Sequence, residues 1–546
     1  MRGHESVPIK DYKGDSIRNS GENDPAGYFR SSLNVAFSHG EPRTRDGFAL
    51  DLTPASVVRM QTYKRVGEVD RIIYLDSTGN LYDSNNPGVP ILTIASMTDF
   101  SMISMFNRAY ITPHNGESGL PGDFLYVYQG SGTARKAAGS PPATAPTAAT
   151  SATSGDVSIG EHLFAIAFET DTGFVTKPGP AVLYTAPGSK KVDIAAIEVG
   201  PAGTVARYIL GTRSLLSEYN GNARDYEFFF LPEGRIGNND AGQTKTLNFF
   251  DTSLVVSADY LWESYEEVPA FLGVEDFNGS LIGWGKDGDE SIIYISKSGN
   301  PETISEPYGY SIVRPGTGGG LKACTDFRGL IIAHKSQRTY AITPNNSDPN
   351  TWPIIDIDDG IGTEVHGIGQ ILDAKGHTSD RYVIADRAGL KLFVGTFAEM
   401  AISKNIEDQW ARINFDVGNM LEVLVDPVNK VILIPCPLDD AEINTHVLYC
   451  DYEDGLTYDM VRWSVWTLPN TPSTMLFDVD TDNKTSICKL GSEDGNIYSK
   501  LQNFAMTTVT LSQQLCDSPT LSPRDLTVLK YVIGLELELV SRDSEL

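Results

Sequence analysis

The sequence is poor in the residues that most enzyme chemistry needs. It has only eight histidines in 546 residues, and none lies in an HExxH array. No GxSxG elbow is present, so the strand-turn-helix nucleophile of the α/β-hydrolases is excluded. The five cysteines, Cys324, Cys436, Cys450, Cys488 and Cys516, are odd in number and far apart, and no CxxC pair occurs. That spacing excludes zinc ribbons and dithiol redox motifs, and it reads as small hydrophobes in a reducing compartment. No apolar run approaches the ~18 residues of a membrane-spanning helix. The opening MRGHESVPIKDYKGDS has no apolar core of signal-peptide length. The expectation is a chain made in the cytoplasm, with no membrane-spanning segment and no cleavable export signal.

Positive charge is scarce too. Lys and Arg number 43 against 71 Asp and Glu, a formal net charge of -28. A DNA-wrapping surface needs clustered cations to neutralise phosphates, so it is excluded as the dominant feature. A surface past which DNA slides without sticking is compatible with this balance. Glycine (51) and proline (30) stay near ordinary usage, which excludes collagen and whole-chain low complexity.

What is present is strand text. Short alternating or β-branched runs recur: RIIYL (71–75), FLYVY (124–128), HLFAIAF (162–168), SIIYIS (291–296), GLIIAH (329–334), RYVIA (381–385), KVILIP (430–435) and HVLYC (446–450). Turn residues bound each of them. Long helical periodicity is nearly absent, with one short helix expected in Phe397–Trp410. A turn of roughly Asp-x-x-Gly form before an apolar strand repeats in DSTGNLYDS (76–84), DFNGSLIGWG (276–285), DFRGLIIAHK (326–335), DRAGLKLFVG (386–395) and SEDGNIYSK (492–500). DPVNKVILIP (426–435) fits with Asn429 at the glycine position, where a positive φ is expected. Irregular periods of ~40–60 residues predict an all-β fold, an irregular β-propeller.

One interval breaks the repeat. ARKAAGSPPATAPTAATSATSGD (134–156) reads as a flexible linker. The short strands that follow predict an inserted fibronectin III-like β-sandwich. The expected organisation is an N-terminal arm and first blades over 1–136, the inserted sandwich over 137–262, the remaining blades over 263–500, and a C-terminal β extension over 501–546. An N-terminal strand is expected to close the ring, with SLNVAF (32–37) as the candidate.

The search for a reactive constellation assigns no catalytic, cofactor-binding or metal-ligating residue, and no cofactor. GSLIGWGK (279–286) has Ser280 and Asp287 where a phosphate loop requires Gly and Ser or Thr, so it reads as strand and turn. TGGGL (317–321) reads as a flexible loop between blades. DVDTDNK (478–484) offers alternate acids, yet Asn483 and Lys489 stand where a calcium loop needs Gly and an acid. The pairs Glu266–Glu267, Asp358–Asp359 and Asp439–Asp440 would serve a glycosidase only if two acids met in one cleft. Trp463 and Trp466, three apart in WSVWTL, read as packing residues rather than a sugar platform.

The segments SSLNVAFSHGEPRTRDGF (31–48), SLIGWGKDGDESIIYISKSGNPETI (280–304), with its Ser-x-x-Gly-x-Pro-Glu turn, HKSQRTYAIT (334–343) and VRWSVWTL (461–468) together resemble the nozzle, or tail-tube hub, of short-tailed bacteriophages. The resemblance covers roughly 30–500. It implies a structural virion protein that forms a homo-oligomeric ring, a hexamer, beneath an adaptor on the portal side. The ring would conduct double-stranded DNA through its lumen without specific binding, retain the genome, and anchor a tail fibre or spike. Six copies would carry about 170 negative charges. The alternatives from the residues themselves are a carbohydrate- or receptor-binding propeller and, behind it, a glycoside-active enzyme.

Overall fold

Alternating strand text joined by tight turns favours local antiparallel hairpins, and nearly every strand in the chain pairs with its sequence neighbour. The computed structural model describes residues 33–38, 41–115, 120–372, 378–468, 471–480 and 485–505. Seven small sheets lie in succession. Blade 1 comprises Arg59–Tyr63, Arg71–Leu75, Asn80–Asp83 and Pro90–Thr93. Blade 2 starts at Met97–Met105 and Arg108–Asn115 and ends at Arg135–Lys136. Blades 3 and 4 begin at Gly273–Phe277 and Leu321–Phe327, and each has four strands. Blade 5, opening at Ile368–Leu372, has three, and blade 6, opening at Leu424–Asp426, has four.

Blade 7 is built from both ends of the chain. Its inner strand is Pro472–Asp480, followed by Thr485–Ser492 and Ile497–Ala505, and Asp46–Leu52 pairs with the last of these as the outermost strand. The first strands are neighbours in ring order: blade 7 with 1, 1 with 2, 2 with 3, 3 with 4, 5 with 6 and 6 with 7. Blades 4 and 5 join through Gln370 on Thr325 and an aromatic cluster of Phe327, Tyr382 and Phe393. The fold is a seven-bladed β-propeller closed by its N-terminal strand.

The closing strand is therefore Asp46–Leu52, not residues 32–37. Val35–Ser38 instead forms a hairpin with Glu41–Thr44. That hairpin covers the outer edge of blade 6, where Leu33 bridges Val465 and the Trp466 indole donates to the Val35 carbonyl at 2.7 Å. Residues 501–505 belong to blade 7, and 506–546 lie outside the described residues.

The repeat was irregular because one turn motif marks two different hairpins. The Asp-x-x-Gly turn joins first and second strands in blades 3 and 4, but second and third strands in blades 1 and 5, as the related Ser492–Gly495 turn does in blade 7. Its chemistry is shared. Asp276 and Asp326 accept from Gly279 and Gly329 N–H, and Asp76 accepts from Thr78 and Asn80 N–H. Asn278–Gly279 and Arg328–Gly329 both take positive φ, the twist a two-residue hairpin demands. In blade 6 the expectation at Asn429 fails. Lys430 carries the positive φ of 53°, while Asn429 caps Asp426.

The inserted domain is a fibronectin III-like sandwich between blades 2 and 3. Thr147–Val157, Lys190–Ala195 and Lys245–Leu247 form one sheet. Val182–Ala186, Gly160–Thr170, Thr204–Gly211 and Phe229–Ile236 form the other, in that order. In immunoglobulin lettering these are B–E facing C′–C–F–G, with no strand A beside B and an extra strand beside E. Gly160–Thr170 reads as a continuous apolar run because both its faces are covered. Phe164, Ile166 and Phe168 face the opposite sheet, and Leu163, Ala165 and Ala167 lie under Phe228, Ala258 and Leu261. The segment expected to be a flexible linker is mostly ordered strand: Arg135–Lys136 ends blade 2 and Thr147–Val157 is strand B. Its Ala, Ser and Thr fit a half-exposed edge as well as they fit a linker. The short helix falls at Glu407–Trp410 after a 3-10 turn, within the expected window.

Candidate functional site

A propeller leaves a hole where its first strands converge, so the axis is where distant residues meet. Here it is filled by charge. Arg59 at the start of blade 1 donates Nε to Asp99 Oδ1 of blade 2 at 2.8 Å and pairs through Nη1 with Glu422, just before blade 6. His366, just before blade 5, places Nε2 2.9 Å from Asp99 Oδ2. Glu422 also accepts from Thr474 Oγ1 and the Met475 N–H of blade 7, at 2.9 and 3.0 Å. His114 lies 3.7 Å from Asp99. Arg59, Asp99 and Glu422 are almost fully buried. Groups from blades 1, 2, 5, 6 and 7 reach one another only on the axis, so this network closes it.

The protonation states follow from the surroundings. Burial opposes ionisation of Asp99, but the Arg59 guanidinium and His366 outweigh it and hold the carboxyl well below its ordinary range. Burial, and then Arg59, push His366 below the usual histidine value. At neutral pH Asp99 is thus ionised beside a neutral His366. Arg59 fills the space between the acids, and no group of three or more metal-type ligands converges among the described residues.

A second cluster holds the sandwich on the propeller. Arg135 of blade 2 grips the buried Glu302 carboxylate with two nitrogens, at 2.8 and 3.0 Å. Its Nε donates to Asp171 of the sandwich at 2.6 Å and its Nη2 to Thr172 Oγ1 at 3.0 Å. Glu302 also accepts from the Ala138 N–H. Gly203 takes a φ of +88° against the Arg135 side chain, where a Cβ would collide with Cδ. Glu302 is the final residue of the Ser-x-x-Gly-x-Pro-Glu turn. Its sequence gave it no role, and its structure makes it the anchor of the inserted domain.

The other residues singled out from sequence resolve simply. The three acid pairs fall far apart, on the connection into blade 3, on blade 4 and on blade 6, and are engaged there. Glu267 binds Lys136 and Ser140, Asp358 caps Gly360 and Ile361, and Asp439 forms a two-pronged pair with Arg412. Trp463 and Trp466 are buried in different cores, on opposite faces of one strand. Ser280–Lys286 is a strand of blade 3. The TGGGL loop joins blades 3 and 4 and is tied down: the buried Lys335 ammonium donates to the Arg314 and Thr317 carbonyls at 2.9 Å. Asp478 and Asp480 end the inner strand of blade 7, and Asp482 lies outside the described residues. A cleft of about 220 Å³ separates the N-terminal hairpin from blades 6 and 7. Its Lys500 and Asp451 are paired with Asp46 and Arg462, so it presents no converging reactive group.

The end of the sandwich remote from the propeller carries a group of exposed apolar side chains. Ser214 ties its loops together, donating to the Ile159 carbonyl and the Asp251 carboxylate at 3.0 Å each. Around it Ile159 is 74% exposed, Val255 78%, and Leu216 and Phe250 are also out in solvent.

No family model matches this chain, and no curated protein matches it. Among solved structures it is similar to the computationally designed protein Ika8, at 9% identity and a TM-score of 0.32, covering 84% of this chain and all of that one. It is likewise similar to Sqt1 of Saccharomyces cerevisiae, at 10% identity and 0.32, with the same coverage. Hsv2 of Kluyveromyces lactis aligns at 10% identity and 0.28, over 75% of this chain and 97% of that one. The propeller stands on the sheet order itself.

Proposed function

We propose that this chain is a structural subunit of the tail nozzle of a short-tailed bacteriophage. It would assemble as a ring under an adaptor, pass double-stranded DNA through the ring's lumen, and anchor fibres or spikes. The observation that carries this reading is the combination of a propeller with a closed axis and a sandwich clamped between two blades. A propeller whose own hole is filled works through its outer surfaces. A domain fixed by a buried arginine between blades 2 and 3 is suited to hold a constant angle in an assembly. The net charge of -28 supports a lumen that does not retain phosphates. Acidic groups there repel DNA over about a Debye length, ~8 Å at physiological salt.

Light scattering and electron microscopy of the purified full chain, alone and with the adaptor of the same particle, test the proposal. Rings, with acidic or neutral loops lining the hole, are expected. A stable monomer that no adaptor assembles, or a basic lumen, would overturn it.

The exposed tip of the sandwich favours a second reading, in which the chain binds a host receptor through Ile159, Leu216, Phe250 and Val255. Binding to host cells that is lost on Phe250→Asp, in a protein that forms no ring, would select it. The glycosidase reading has no support from the dispersed acid pairs.

A further inference from the structure

A sheet edge with unpaired N–H and C=O groups invites another strand, so folded proteins blunt their edges with bulges, charge, proline or brevity. The sandwich has four edges. Strand Thr147–Val157 shifts register twice against Lys190–Ala195, and the Lys190 ammonium caps the Ala152 carbonyl. Strand Lys245–Leu247 has only three residues. Strand Phe229–Ile236 contains Pro232, takes a positive φ at Glu233 and is covered at Phe230 by the Val256 carbonyl. The fourth edge, Val182–Ala186, has none of these devices. Its sequence VLYTA carries no charge and no proline, and its register with Gly160–Phe164 is unbroken. Among the described residues no strand pairs with its outer side. Val182 is half-buried at the margin of the core, and Leu183 is 41% exposed.

The chain itself contains a segment made for such an edge. TVLKYVIGLELELV (527–540) lies outside the described residues and alternates in part: Leu529, Tyr531, Ile533, Leu535, Leu537 and Leu539 make one apolar face, and the other mixes Val528, Val532, Gly534 and Val540 with Lys530, Glu536 and Glu538. Between Ala505 and this segment lie residues 506–526, which at ~3.3 Å each span up to about 70 Å.

We propose that residues 527–540 of this chain add as a strand to the open edge Val182–Ala186 of the inserted sandwich, with their apolar face over the margin of its core. Main-chain hydrogen bonds would supply affinity and the alternate apolar side chains would supply register. The inference does not depend on the virion reading, because it concerns only this chain's edge and this chain's segment.

Hydrogen exchange and lysine crosslinking on the full chain test it. Amides of 182–186 are expected to exchange about tenfold more slowly in the unaltered chain than in an Ile533→Glu, Leu535→Glu variant. Blade 7 amides, over 485–500, should exchange alike in both and so report intact folding. A synthetic peptide of residues 525–542 should restore slow exchange to the variant. Lys530 is expected to crosslink to Lys190 or Lys191, and a mixture of light and ¹⁵N-labelled chains tells whether the strand comes from the same copy or a neighbour. Equal exchange at 182–186 in the two proteins, or Lys530 crosslinks confined to the propeller, would overturn the proposal. Equal slow exchange would point instead to edge-to-edge pairing of two sandwiches.

Discussion

The propeller and the sandwich hold themselves together by opposite means. The sandwich is local: its seven strands lie within 147–247, and its core is apolar and aromatic, with Phe164, Phe168, Phe229 and Phe249 between the sheets. The propeller closes by contacts of extreme sequence separation. Asp46–Leu52 pairs with Ile497–Ala505, and Arg59 meets Glu422 across 363 positions. A local apolar core loses stability in proportion to the volume removed. A ring closed by buried charge depends on a few nodes, because an orphaned charge keeps its desolvation cost.

That contrast is broken most directly at Arg59. Arg59→Ala leaves Asp99 and Glu422 buried without their cation, and breaking a buried pair of this kind costs about 3–5 kcal/mol. Calorimetry of the full chain should show the propeller's transition falling sharply while the sandwich's stays in place. Adding Asp99→Asn and Glu422→Gln to the variant should recover much of the loss, since the orphaned charges are then gone. If both transitions fall together, the two regions unfold as one unit and the contrast fails.

The junction gives the next effect. Arg135→Ala leaves the buried Glu302 with only the Ala138 N–H, and we expect a loss of about 3 kcal/mol by the same argument. Small-angle scattering should show a wider spread of sandwich orientations than in the unaltered chain. An unchanged profile would mean that the apolar contacts around Phe174, Val268 and Phe271 position the domain by themselves.

Acid should weaken the propeller next. Burial holds His334 at a pKa of about 3, neutral between Thr339 and Tyr382. The unfolded chain's histidine titrates near 6.5, so the unfolded state takes up the proton first. Stability is then full above pH ~6.5 and falls by up to about 1.4 kcal/mol per pH unit below it, until the folded pKa is reached. His366, also lowered, acts in the same direction. Asp99, a depressed carboxyl, holds its contribution until far lower pH. His334 alone should cost about 2 kcal/mol from pH 7 to pH 5, while the Glu275 carboxyl, raised by burial to about 7, acts in the opposite direction. Urea unfolding of His334→Gln against the unaltered chain at both pH values isolates the histidine's part.

How much of this was legible in the sequence follows from which forces are local. Strands and turns were legible because period-two alternation and Asp-x-x-Gly turns are written in neighbouring residues. The blade count was not, because the same turn serves two hairpins and its spacing slips from blade to blade. The closing strand DGFALDL was overlooked because Asp46 and Asp51 mark it as loop. It is a strand only because blade 7 presents an edge, and Lys500 and Lys489 pair with those acids. The axial network left no trace, since Arg59, Asp99, His114, His366 and Glu422 share no motif and become neighbours only when the ring closes.

The smallest effect separates the sequence reading of the blade 6 turn from its geometry. Glycine was expected to suit position 429, but the left-handed residue there is Lys430, and its Cβ pays a steric cost of about 1 kcal/mol that glycine avoids. Lys430→Gly should stabilise the chain by roughly 0.5 kcal/mol, the gain being partly offset by the greater freedom of glycine in the unfolded state. Asn429→Gly should do the reverse. Its Nδ2 donates to Asp426 at 2.7 Å, and removing that bond should cost about 1 kcal/mol. Opposite signs at adjacent positions, read as shifts in the urea midpoint, distinguish a turn set by the Lys430 backbone from one set by residue 429. The same sign at both would return the left-handed position to Asn429.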